Sequence, residues 1–306
     1  MNRPRFANHS RAQAQYERAL LAWMRRVSDA LYRALEPYLD GMARMDADEQ
    51  IAFDFNGALN VLQAELPNLL DVDQARTLVI GIGQKMADEH KKTMAATLRD
   101  HVHSRNKPKI ERIDLFQIEP WLKPEMNRWT DQNISLITRM PQMLLDNAAQ
   151  IVKEAAPGGM RHETLAKRLR AALDVPEGRA RLIARDQMAK WNSSLTEARY
   201  KNAGINRFIW RTARDRRVVG APGGAYPEAK SPDKHGNHYE REGLTFLVGR
   251  LPLVEVLRDG SLKVHSDWSD GAPGQGIQCR CWQEPVIDGL EDLLDNTPAP
   301  LEMGGG

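Results

Sequence analysis

The chain has 306 residues, of which 42% are hydrophobic and 27% charged, a mix that excludes a disordered tail protein and a collagen-like fibre. Its mean hydropathy is −0.55, and no apolar run approaches the ~18–20 residues of a membrane-spanning helix. The start from Met1 to Ser10 has no apolar core of a secretory signal, and two cysteines are too few for a disulfide scaffold, so a reducing compartment is expected. The net charge of +2 is unevenly spread. Arg161 to Arg217 carries 15 Lys/Arg against 6 Asp/Glu, whereas Glu284 to Gly306 carries six acidic residues and no basic one. Either these are two solvated faces, or they await a polyanion and a basic partner respectively.

In chain order, Tyr16, Leu20, Trp23, Val27, Leu31 and Leu35 recur at spacings of three and four and predict an amphipathic helix, with Pro37 and Gly41 as its end. A second helix is expected from about Asp46 to Leu66. A third is expected from about Asp71 to Arg105, with Leu78, Ile82, Met86, Met94 and Leu98 as its stripe and Gly81 and Gly83 weakening its middle. The prolines at 108, 120 and 124 predict a linker over Asn106–Pro124. Thr130 is the expected N-cap of a further helix that carries Ile134, Ile137, Met140, Leu144, Ala148 and Ile151, is kinked at Pro141 and stops at Gly158–Gly159. A short helix from His162 to Leu173 and a long basic one from Pro176 to Asn202, closed by Gly204, complete the helical part. Beyond it, Phe208–Thr212, Leu244–Val248 and Leu262–His265 read as strands among loops rich in Gly, Pro and Asp. The expected class is α+β: a mainly helical N-terminal region, then a small loop-rich α+β C-terminal domain.

Chemistry concentrates in that last third. In an extended segment the side chains of Cys279 and Cys281 point the same way, and a disulfide between them would be strained, since their Cα atoms lie about 6.5–7 Å apart. With His235 and His238 they can form a Cys2His2 zinc site closing the long loop. The alternative is that both thiols are small buried hydrophobes and Arg280 reaches a carboxylate such as Asp215. Asp215 sits among Arg211, Arg214, Arg216 and Arg217. It reads as a turn-capping aspartate held by arginines, or else the arginines contact phosphate without reading bases. The seven tryptophans read mostly as core anchors, with Trp121 or Trp129 suited to a protein interface if exposed. Zinc-protease, Walker and serine-hydrolase motifs are absent from the sequence.

The ordered set Arg181-Leu-Ile-Ala-Arg-Asp186, Ala203-Gly204-Ile205, Trp210-Arg-Thr-Ala-Arg-Asp215-Arg-Arg-Val218, a His-bearing loop at His235–His238, Gly243, Pro273-Gly274 and Cys279-Arg280-Cys281 resembles the Mu F-like minor head proteins of tailed bacteriophages, over roughly residues 130–286. Where that family has a Glu-Thr-like pair, this chain has Asp186-Gln187. Its His follows the Arg-Val strand at a longer distance, so His235 and His238 both qualify as the family's His.

The resemblance implies a helical N-terminal region (1–125) docking on portal or capsid, a head morphogenesis domain (126–290) and an acidic tail (291–306). It further implies a non-enzymatic virion component, present in the host cytoplasm during assembly, with the portal, capsid or scaffold proteins and non-specifically bound double-stranded DNA as partners and no membrane. Trp210, Asp215 and Arg280 would be its structural motif residues. Two other readings stand beside it. One is a metal-dependent nuclease or toxin-like domain built on Asp215, Asp233, His235, His238, Asp267 and the cysteines; the other is a plain DNA-binding module built on the basic segment.

Overall fold

A computed structural model describes residues 8–43, 57, 60–61, 63–64, 71–103, 118–155, 162–174, 177–214, 218, 220–221, 238–268, 270–277 and 279–287. The class is α+β. Among the described residues, five helices, α1 (Ser10–Ala43), α2 (Val72–His103), α3 (Leu122–Ala155), α4 (His162–Leu173) and α5 (Glu177–Asn202), precede five strands. These are β1 (Arg207–Arg211), β2 (Thr245–Leu247), β3 (Leu253–Val256), β4 (Leu262–His265) and β5 (Trp282–Val286). Among the described residues no helix is long and apolar enough to cross a membrane. Residues group into two compact units, one drawn from 13–82 and 127–184, the other from 1–12, 83–126 and 185–306. Helices α2 and α5, of 32 and 26 residues, each contribute to both units, because a helix of that length outruns a single core.

The first unit is helical. The stripe predicted on α1 is buried throughout, from Tyr16 to Leu35. It shares its unit with Ile134, Ile137, Met140, Leu144 and Ala148 of α3 and Leu165, Leu169 and Leu173 of α4. Tyr16 donates to Asn133 Oδ1 at 2.6 Å and lies 6.3 Å, ring to ring, from Trp129. Prolines mislead in two places here. Helix α1 runs through Pro37, whose exposed position leaves the freed carbonyl to water. Helix α3 begins at Leu122, so Pro124 lies in a first turn, where the missing N–H costs nothing. Thr130 is therefore not a cap but a buried residue within α3, which continues through Pro141. The helix expected over Asp46–Leu66 lies largely outside the described residues, as do Gly158 and Gly159.

The second unit joins the C-terminal parts of α2 and α5 to an antiparallel sheet of order β4-β3-β2-β1-β5. Strands β3 and β5 were not expected: both are short and carry Glu or Pro, which masks the alternation that marks a strand. The β1–β5 register sets Trp210 opposite Gln283 and Arg211 opposite Trp282. Met94, Leu98, Tyr200, Ile205, Phe208, Trp210, Phe246, Leu253, Cys279 and Cys281 form one core. Phe208 stacks on Phe246 at 5.7 Å, and Tyr200 donates to the Gln283 carbonyl at 3.0 Å, tying helix α5 to β5. Gly83, expected to weaken α2, is buried, and its carbonyl accepts the Trp191 indole at 3.0 Å. Trp121 and Trp129 are half-buried and buried, so neither is the exposed anchor that an interface would use. Trp121 lies beneath the Arg199 guanidinium at 5.7 Å.

Candidate metal centre

Three turns of chain meet behind β1. The first is the turn from His238 to Gly243, which returns to the sheet where the Gly243 N–H donates to the Trp210 carbonyl at 2.9 Å. Gly243 has a φ of +84°, a left-handed conformation in which a side chain is strained. The second turn contains Asp270, and the third leads from Pro273 to Cys281 immediately before β5. Gly274 also has a positive φ, +93°, and a Cβ there would lie 3.1 Å from Ser193 Cβ and 3.2 Å from the Ala189 carbonyl. Only glycine lets this turn press against α5, and from there its N–H reaches Cys279 Sγ at 3.4 Å.

The three turns bring His238, Cys279 and Cys281 together. All three are buried, and their ligand atoms lie within 4.8 Å of one another. His238 Nδ1 is 3.6 Å from both sulfurs. Its Nε2 is hydrogen-bonded to Asp270 Oδ2, and Arg241 Nη1 donates to Asp270 Oδ1 and Oδ2 at 2.9 and 3.1 Å. Arg241 is wholly buried, its guanidinium 4.8 Å from the Trp210 ring and 4.2 Å from the Trp268 ring. Trp210 in turn meets His238 edge-on at 5.4 Å.

The electrostatics follow from this packing. Burial pulls the His238 imidazole down, but its hydrogen bonds to Asp270 and Cys279 outweigh burial and hold it at about 9. The Cys279 thiol is driven well below its usual range by hydrogen bonds from Cys281 and His238. Burial pushes the Cys281 thiol up, and the Cys279 charge beside it adds to that. Asp270 is held below the ordinary carboxylate range: burial opposes this, but His238 and Arg241 prevail. A metal held here would receive one nitrogen and two sulfurs, a donor set suited to a soft or borderline ion.

Of the residues singled out from sequence, the structure gathers Trp210, His238, Cys279 and Cys281. His235, Asp233, Asp215, Arg216 and Arg217 lie outside the described residues. Arg280 is half-buried. Asp267, offered for a nuclease site, is exposed and stands outside the His/Cys group, whose neighbouring carboxylate is Asp270. Arg211 is paired with Glu284 and with Glu242, the latter at 3.4 Å, and exposed Arg214 bonds Glu242 at 2.7 Å. The structure thus sets glutamates against the two described arginines. Sequence reasoning missed Arg241, Asp270, Glu242 and Glu284. Asp270-Gly271 has the form of a turn dipeptide, but nothing in it marks a carboxylate aimed at a histidine 32 residues earlier.

The chain matches no known protein family, and no solved structure matches it. It is similar to a protein of Haemophilus influenzae described as uncharacterized, with 27% identity over 194 residues. The match covers 63% of this chain and 36% of that protein, so the chain spans about a third of the relative it matches.

Proposed function

We propose that this chain is a minor head protein of a tailed bacteriophage, of the Mu F-like kind, that acts at the portal during head assembly and ends in the virion. One observation carries the reading. Residues spread over more than seventy positions, from Trp210 through His238 and Gly243 to Gly274, Cys279 and Cys281, carry the sequence resemblance and meet in one buried knot. There they brace long loops, as an assembly part requires. The helical unit supplies the docking surface for portal, capsid or scaffold.

The metal at the knot is zinc in this reading. At tetrahedral angles, Zn–S bonds of about 2.3 Å and Zn–N bonds of about 2.1 Å place nitrogen and sulfur about 3.6 Å apart. That is the separation of His238 Nδ1 from each thiol. Zinc bound there would lock the His238 turn to the strand that follows Cys281, a closure that stabilises a loop-rich unit. Cells expressing the chain together with a phage portal protein test the assembly role. Co-purification with portal or procapsids is the expected result, and a chain that never associates with either overturns it. Zinc near one equivalent in protein purified without added metal, lost in Cys279→Ser, supports the metal assignment.

A further inference from the structure

The two ring nitrogens of His238 have different tasks. Nδ1 faces both sulfurs at 3.6 Å, while Nε2 faces Asp270 Oδ2. Asp270 cannot act as an alternative ligand without leaving its partners. Its side chain is 1% exposed, and Arg241 engages both of its oxygens. Arg241 is itself immobilised between the rings of Trp210 and Trp268 and carries no exposed atom on which to swing out. A carboxylate that accepts the Nε2–H of an imidazole fixes its tautomer and ring angle, leaves the Nδ1 lone pair as the donor, and strengthens that donor.

We propose that Asp270 and Arg241 are the positioning residues of a metal site formed by His238 Nδ1, Cys279 Sγ and Cys281 Sγ, with Asp270 orienting the imidazole and Arg241 holding Asp270. This rests on the zinc reading above and deepens it. The relay continues from His238 through Asp270 and Arg241 to Trp210 and Trp268, so the metal is anchored to the sheet core as well as to its ligands. The Gly274 N–H directed at Cys279 Sγ serves the same end on the sulfur side, donating to a thiolate.

The test uses the full chain loaded with zinc, its affinity measured by competition with a chromophoric chelator, and cobalt(II) as a spectroscopic substitute. Asp270→Asn is expected to weaken zinc binding about 10–100-fold and to shift the cobalt ligand-field bands. Asp270→Glu is expected to restore most of the affinity. Equal affinities for Asp270→Asn and the unaltered chain overturn the proposal, even if the variant melts earlier. Should Asp270→Asn fail to fold, nitrogen-15 spectra of the unaltered, cadmium-113-loaded chain decide. Cadmium coupling to Nδ1 with the proton on Nε2 is the expected result, and coupling to Nε2 overturns it. If the unaltered chain binds no metal at all, the zinc reading fails and this proposal with it.

Discussion

The backbone N–H of Gly274 donates to Cys279 Sγ from 3.4 Å, across a turn that only a left-handed residue can make. Gly274→Ala would place a Cβ against the Ala189 carbonyl, which belongs to a helix and cannot yield. The strained φ adds its own cost, so we expect a loss of roughly 1–3 kcal/mol in stability. Chemical denaturation measures the loss. A variant as stable as the parent would show that the turn adapts.

Chelator should act as a destabiliser if the knot holds metal. Adding EDTA is expected to lower the melting temperature of the unaltered chain and to leave Cys281→Ser, already without its site, where it was. The measurement is a pair of thermal melts for each protein. Identical shifts in both, or none in either, would speak against a bound ion.

Away from the knot, Arg199 has no exposed surface and is bound bidentately to Glu119, at 2.6 and 3.0 Å. Removing one partner strands the other charge in the interior. Glu119→Ala is therefore expected to cost about 3–5 kcal/mol, whereas replacing both residues by apolar ones of similar volume should cost much less. A double-mutant cycle by urea unfolding checks both statements.

The same arginine sets a pH dependence. Arg199 has only donors, so His90 Nδ1, 2.7 Å away, must accept, and the proton sits on Nε2 beside Thr196 Oγ1 at 2.9 Å. Burial, then the Arg199 charge, hold His90 well below 6.5. A histidine with a depressed folded value is neutral in the native state and takes up a proton on unfolding. Its contribution is therefore complete above about pH 6.5 and declines on acidification, with a slope approaching about 1.4 kcal/mol per pH unit. His90→Gln should flatten the stability profile between pH 6.5 and 5. Parallel profiles for the two proteins would refute the assignment.

Much of this molecule is legible in its residue order. The α1 stripe from Tyr16 to Leu35, helix α4 from His162 to Leu173, the Gly204 stop with its φ of +68° and strand β4 follow from periodicity and backbone preference, which act over a few neighbours. The pairing of Cys279 with Cys281 was visible for the same reason: two residues apart, they share a face. Proline was a poorer guide, because its penalty depends on which side of a helix meets water and on whether its N–H was needed. Pro37 and Pro124 show the two cases.

What only the folded chain decided is which distant groups meet. Asp270 and Arg241 lie 32 and 3 residues from His238, and nothing local distinguishes them from other turn residues. Packing between two tryptophan rings makes Arg241 a fixed charge, and that charge makes Asp270 a usable partner. Glu242 and Glu284 likewise claim Arg211 only because antiparallel pairing sets the segment entering β2 and strand β5 on the two sides of β1. Local sequence sets backbone preference over short range, but burial and charge pairing depend on separations that exist only after the chain has closed on itself.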